Sequence, residues 1–422
     1  MRDQLDTSKQ RGSAIEELTE QFCQRSFLQD FLFLRPKLVS TNKELSDLLA
    51  ILDDKCLCIQ IKARGKITPR SAPRLANWAT KRLVKAGHQA AGATRKIMNS
   101  DISATHPWRG NVVFPAGDLI PIQGIALVEY FGPSFTLSPE AKHQTPNEIP
   151  VHYFPLNDFL NLVDLLGTLP DIIEYLQQRA SISDDARSMI GKERDLYATY
   201  LLDGHLRPGL SYRDVKNRWS HLIDEEESFE RKRKHNIFVD FYNGLIDELH
   251  QRDPDKLSYQ PPELIKYVTP ISDRTSYLEI ATRLNKLPYI YRREIGKHLF
   301  QTAKTVKDDG KSRMFTYRDP NSQWVLAFLV TPNMDRTSRI RRLYSLVAKA
   351  QIQYGYQSVI GIACPSLDSK QGYDYLFIDK VTFDKEQVNK FAPTITKSTA
   401  IELGPFPTPN DDSLLPKDED FE

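Results

Sequence analysis

Apolar positions recur along this chain with two different periods, and the alternation between them outlines its elements. Residues 13–30 place Ile15, Leu18, Phe22 and Cys23 on one stripe at helical spacing, which predicts an amphipathic helix. Ser13 as N-cap and Glu16 three positions on have the spacing of a capping box. Short β-type runs follow: LQDFLFLRP (28–36), SDLLAIL (46–52) and CLCIQIKA (56–63). Asp53-Asp54 between the last two suits a tight hairpin turn. Both runs are apolar at nearly every position, so helices are expected on both of their faces. A long helix from Pro73 to Ile97 and strand-like NVVFPAG (111–117) and IALVEYFG (125–132) complete an α-β-β-β-α-β order, predicting a compact α/β domain over residues 1–135.

Residues 150–260 read as a helical region, for example LNDFLNLVDLLGTL (156–169) and HNIFVDFYNGLIDELH (235–250), punctuated by Pro170, Gly204 and Pro208-Gly209. Opposite charge blocks at Asp224–Glu227 and Arg231–Lys234 have i,i+4 spacing, the pattern of a solvated helix face. Proline-rich YQPPEL (259–264) reads as a linker. A C-terminal α/β domain is expected over 270–400: a helix (277–306), strands at 313–317 and 323–330, a helix (338–355), and strands at 358–364 and 373–379. This order repeats that of the first domain, without a carboxylate-x-Lys in its hairpin. The end, residues 405–422, is proline-rich and then acidic, with six acidic residues against one lysine after Pro409, and predicts a disordered tail.

Composition is that of an ordinary globular chain, with 40% hydrophobic and 27% charged residues. Of the four cysteines none forms a C-x-x-C pair, and Cys56 and Cys58 fall in an apolar run. Free thiols in a reducing, cytoplasmic compartment are expected, with no structural zinc. The first residues, MRDQLDTSKQRGS, lack the apolar run of a secretory signal, and no run is long enough to span a membrane.

Net charge is only +2, but its distribution is uneven. Between residues 55 and 100 there are eleven basic residues and no acidic one: Lys55, Lys62, Arg64, Lys66, Arg70, Arg74, Lys81, Arg82, Lys85, Arg95 and Lys96. Such a strip calls for a polyanion, for which phosphate backbone is the natural partner. Arg336, Arg339, Arg341, Arg342 and Lys349 form a second basic cluster, read as the exposed side of a helix or an extension of the same surface.

The candidate chemistry lies in the hairpin. With Asp53-Asp54 as a two-residue turn, Leu52 faces Lys55 and Asp47 faces Gln60, while Lys62 shares the Gln60 face. A carboxylate and an amine inside apolar strands are costly unless they are paired or coordinate something. A buried Asp47–Lys62 ion pair would satisfy them. So would a site in which Asp47 and the Gln60 carbonyl oxygen hold Mg²⁺ and Lys62 stands beside the phosphate and its attacking water. Glu16 or Glu17 on the first helix could add a carboxylate.

The residues G-S-A-I-E (12–16), E-L-S-D-L-L (44–49) and I-Q-I-K-A (59–63) resemble the motif of the PD-(D/E)XK nuclease superfamily, which includes restriction endonucleases and RecB-like nuclease domains. The resemblance covers the N-terminal domain and implies a restriction-endonuclease-like fold. It implies Asp47, Gln60 and Glu16 as ligands of Mg²⁺ or Mn²⁺, Lys62 as catalytic lysine, and DNA phosphodiesters as substrate. Arg64, Lys66, Arg70, Arg74, Lys81, Arg82 and Lys85 would then bind the nucleic acid, with Glu17 and Gln89 as further residues lining the site. Gln60 departs from the usual Asp or Glu and removes one negative charge. A nuclease joined to large additional regions is similar to effectors of prokaryotic anti-phage or restriction systems, with homo-oligomer or protein contacts through the helical and C-terminal regions. The alternative is a catalytically silent nucleic-acid-binding or scaffold protein on a degenerate nuclease fold.

Overall fold

The computed structural model describes residues 8–64, 71–129, 149–183, 186–187, 190, 192–224, 227–251, 274–318, 324–355, 358–367, 369 and 371–379. The expected linker at 259–264 and the acidic tail lie outside the described residues. Two compact units meet in sequence between Arg233 and Lys234. Among the described residues no helix is long and apolar enough to cross a membrane.

Unit 1 begins with α1 (Ser8–Phe27), β1 (Leu32–Leu38), β2 (Leu48–Leu52), β3 (Lys55–Lys62) and α2 (Ala72–Asn99). It continues with β4 (Ile102–His106), β5 (Gly110–Phe114), β6 (Ile120–Val128) and β7 (Val151–Pro155). The helices α3 (Leu156–Leu166), α4 (Leu169–Ser181), α5 (Glu193–Asp203), α6 (Tyr212–Val215) and α7 (Arg218–Asp224) follow. Seven strands form one mixed sheet in the order β5-β4-β1-β2-β3-β6-β7. β3, β6 and β7 run parallel, so their carboxyl ends open at one edge. The β2–β3 hairpin pairs Leu52 with Lys55 and Leu48 with Ile59, the register the turn predicts, and Asp53 takes the left-handed conformation that aspartate tolerates in tight turns. All five residues of β2 are buried.

α2 lays Leu75, Ala79, Leu83, Ala86 and Ala90 against Ala126, Val128 and Val151, a small-residue face that lets the helix approach the sheet closely. At Gly87 the approach is closest, since a Cβ there would stand 2.3 Å from the Tyr153 hydroxyl oxygen. Two strands were not legible. β4 (ISATH) is short and half polar, and β7 (VHYFP) runs straight into α3, with Pro155 as N-cap, so no turn marks its end. The sheet consequently takes its last strand from beyond residue 135, the limit expected for the first domain. The charged stretch before Lys234 is not wholly solvated either, because Lys232 is buried.

Unit 2 takes the C-terminal part of α8 (Glu227–Gln251), then α9 (Arg274–Asn285), α10 (Tyr289–Asp309), β8 (Arg313–Arg318), β9 (Trp324–Thr331), α11 (Arg336–Tyr354), β10 (Ser358–Pro365) and β11 (Asp374–Asp379). The helix expected at 277–306 is thus two. Pro288 has no N–H to continue the first and serves as N-cap of the second. The sheet order is β11-β10-β9-β8, with only β9 and β10 parallel. Arg292 is fully buried, its guanidinium donating to the carbonyls of Leu287 and Asn285 and the amide oxygens of Asn285 and Asn243. At Gly296 a Cβ would meet the Phe238 carbonyl oxygen at 1.9 Å, so only glycine permits this helix contact.

Candidate active site

Asp47 precedes β2 and is held from both sides. Its carbonyl accepts from Arg35 N at 3.0 Å, and its N–H donates to the Ile59 carbonyl at 3.2 Å. One carboxylate oxygen, Oδ2, accepts from Gln60 Nε2 at 2.6 Å and from Ile61 N at 2.5 Å. The hairpin therefore joins acid and amide side by side, as the register predicts, with Asp47 9% and Gln60 6% exposed. Burial pushes the Asp47 carboxyl up to about 6, against the Ile61 N–H and the Lys62 ammonium that favour its charge, while Glu16 and Glu44 add to the rise.

Lys62 closes β3 and is half-buried. Burial lowers its pKa, the neighbouring charge of Lys85 adds to the fall, and Asp47, Glu16 and Glu44 oppose it. Glu16, half-buried on α1, is raised by burial and by Glu44, with Arg35 and Lys62 acting the other way. Four parts of the fold thus converge electrostatically on the Lys62 end of β3: α1, the β1–β2 connection, the hairpin and α2. Glu17 points to solvent, and its charge bears on Glu20. Gln89 is exposed on α2, one turn beyond Lys85.

Three participants were not singled out from sequence. Glu44 acts on Glu16, Asp47 and Lys62 alike. Arg35 sits at an irregularity in β1 with φ of 47°, for which Pro36 inside an apolar run was the only signal. Glu129, 2% exposed just after β6, donates its N–H to the Lys62 carbonyl at 2.9 Å and accepts from Arg64 N at 3.0 Å. It thereby fixes the backbone on both sides of Ala63. Its signal was a lone charge closing the apolar run IALVE.

Of the basic strip, Lys66 and Arg70 lie outside the described residues, and Arg64 is half-buried. Arg74, Lys81, Arg82, Lys85, Arg95 and Lys96 are all exposed on α2. At 100° per residue they fall on one face, opposite the alanine-rich face that packs on the sheet, along about 33 Å of helix. α2 carries no acidic residue.

As to a divalent ion, an aspartate oxygen beside an amide oxygen is a hard donor pair of the kind Mg²⁺ accepts when water and phosphate complete its shell. Gln60 turns its nitrogen to Asp47, so its carbonyl oxygen remains for such a role. Among the described residues, however, no three His, Cys, Asp or Glu side chains close round one point. Glu16 and Glu44 both act electrostatically on Asp47 and Lys62.

Fold and site together define a class: an α/β protein with a seven-stranded mixed sheet whose central hairpin presents an acid, an amide and an amine near a basic helix. No protein-family model matches the chain, and neither does any curated protein or solved structure.

Proposed function

We propose that the chain is a metal-dependent nuclease that hydrolyses DNA phosphodiester bonds at the Lys62 end of β3. The observation that carries this reading is the Asp47–Gln60 pair, with Lys62 two residues along the same strand face, in the electrostatic reach of Lys85 on an acid-free helix. Asp47 and Gln60 would hold Mg²⁺ or Mn²⁺, which supplies Lewis-acid polarisation of the phosphate when bound. Asp47 is kept in place by its main-chain bonds to Arg35 and Ile59, so its carboxylate needs no reorganisation to present an oxygen. Lys62, with a lowered pKa, can hold or pass a proton at Nζ and offsets negative charge gathering on the phosphate. The exposed cations of α2 would seat the backbone of the substrate. An effector of a prokaryotic anti-phage or restriction system is the setting this reading fits.

A second reading, a silent nucleic-acid-binding scaffold, is favoured by two observations: Gln60 stands where a carboxylate would strengthen metal binding, and no three acidic side chains close on a point among the described residues. One experiment separates the two. Purified protein is incubated with plasmid and Mg²⁺ or Mn²⁺ beside Lys62→Ala and Asp47→Ala, and binding is followed in parallel. The nuclease reading expects cleavage that both substitutions abolish while binding survives. Binding with no cleavage by the wild type supports the scaffold, and cleavage untouched by either substitution removes this site.

A further inference from the structure

β1 carries one departure from regular strand geometry, and the residue at it is an arginine. Pairing with β4 shifts register between Leu34 and Lys37, and Arg35 takes a φ of 47°. The segment before β2 braces the backbone there. Arg35 N donates to the Asp47 carbonyl at 3.0 Å, and Leu45 N donates to the Pro36 carbonyl at 2.8 Å. A left-handed φ suits glycine best and asparagine or aspartate next, and a residue before proline prefers an extended backbone. Asn42, Asp53 and Asn217 keep that rule. Leu28 breaks it with its side chain in the core, 3% exposed. Arg35 breaks it with an exposed side chain, so neither the turn nor packing explains why arginine stands where glycine would serve. Strain of this kind at an exposed polar residue points to work done by the side chain.

That side chain is uncommitted. Arg179 is engaged by Glu193 and Arg218 by Asp203. Arg339, expected on an exposed helix face, is instead 3% exposed and donates to the Asp374 carboxylate at 2.6 Å. Among the described residues no hydrogen bond or ion pair holds the Arg35 guanidinium, and its charge acts at longer range on Glu16 and Glu20 of α1. Its place in the sheet is fixed all the same. Leu34 faces Leu48, and Leu48 faces Ile59, so the next row across three strands is Arg35, Asp47 and Gln60. Two strand spacings separate the ends of that row, about 10 Å. α2 lies against β6 and β7, which are beyond β3 from β1. The candidate site thus has the basic helix on one flank and Arg35 on the other.

We propose that Arg35 binds a second phosphate of the nucleic-acid strand held at Lys62, the strand running across the sheet from α2 over β3 to β1. A guanidinium presents paired N–H donors that match phosphate oxygens. A row of about 10 Å corresponds to about three phosphates along one strand of a duplex, at about 3.4 Å of axis each. Arg35 therefore sets the path of the backbone beside the reacting phosphate and does not touch that phosphate itself. The inference rests on the nuclease reading for which phosphate reacts, whereas the contact is independent of cleavage.

The test is fluorescence anisotropy of the full chain with a labelled DNA duplex in EDTA, over a salt series. Arg35→Gly and Arg35→Lys are compared with Lys55→Gln, an exposed charge at the other end of β3. Arg35→Gly unfolds at a temperature no lower than the wild type, because glycine accepts the left-handed φ. It weakens duplex binding about tenfold at low salt and lowers the slope of log K against log salt by about one. Arg35→Lys, which keeps a point charge, retains the slope, and Lys55→Gln changes neither affinity nor slope. Cleavage with Mg²⁺ is read separately. A wild type that binds without cleaving ends the nuclease reading, and the phosphate contact still stands if the slope falls in Arg35→Gly. The proposal is overturned if Arg35→Gly binds with the affinity and slope of the wild type, or if Lys55→Gln matches its loss. It is equally overturned if Arg35→Gly is less stable than the wild type, or if the wild type does not bind the duplex.

Discussion

Gln60 donates its side-chain amide to the Asp47 carboxylate at 2.6 Å across the β2–β3 hairpin, within a sheet region buried on both faces. An amide in that position lets the hairpin bury one carboxylate beside a hydrogen-bond donor rather than beside a second negative charge. The same bond makes the site economical to fold without a cation and weaker in its attraction for one.

Gln60→Glu reverses that balance. A second carboxylate would face Asp47 where a donor now stands, so the two acids must share a proton or repel. In a chelator the variant should be less stable than the wild type by about 1–3 kcal/mol. On adding Mn²⁺ its melting temperature should rise further than that of the wild type. Thermal unfolding with and without Mn²⁺ decides this, and equal shifts for the two proteins would separate Gln60 from any ion.

Asp47 carries a pH dependence of definite sign. Its carboxyl is raised from 3.8 to about 6 by burial. A raised acid contributes stability that is fully present below about pH 4 and is lost as pH climbs to about 6, on the order of 3 kcal/mol in total. Asp47→Asn, which can keep an acceptor for Gln60 and Ile61, should therefore be more stable than the wild type above pH 6 in the absence of divalent ions. The gap should close below pH 4. Denaturant titrations across that range test it, and a gap independent of pH would contradict the assigned cause.

The exposed face of α2 makes a quantitative statement about salt. If Lys81, Arg82 and Lys85 each neutralise a backbone phosphate, their combined replacement by glutamine should weaken duplex binding at low salt regardless of sequence. It should also lower the slope of log K against log salt by about 3. Fluorescence anisotropy over a salt series reads the slope directly. An unchanged slope would make this face a solvated surface and nothing more.

Gly87 tests how closely α2 must lie on the sheet. In Gly87→Ala the new methyl would meet the Tyr153 hydroxyl oxygen at 2.3 Å and a ring carbon at 2.4 Å, an overpacking that should cost about 1–3 kcal/mol. Tyr153→Leu vacates that space, so the double variant should recover part of the loss in a double-mutant cycle. Additive losses would show that the helix, not the tyrosine, yields.

Local order along the chain was enough to determine the β2–β3 hairpin and its register, because a two-residue turn between apolar runs leaves one pairing that keeps both strands buried. That register in turn set Asp47 beside Gln60. The apolar and basic faces of α2 were likewise legible, since both follow from 3.6-residue spacing. Tertiary structure decided what no local period encodes. It set Glu16 within electrostatic reach of Arg35, Glu44 and Lys62 and left Glu17 exposed, and it brought Glu44, Arg35 and Glu129 to the same strand end from three other segments. It added β4 and β7 to the sheet although neither shows a strong alternation, because their hydrogen bonds and burial come from neighbours distant in sequence. It also buried Arg339 against Asp374, a partner 35 positions away. Side chains separated by long stretches of chain meet only once the strand order is set, and strand order is a property of the whole packed sheet.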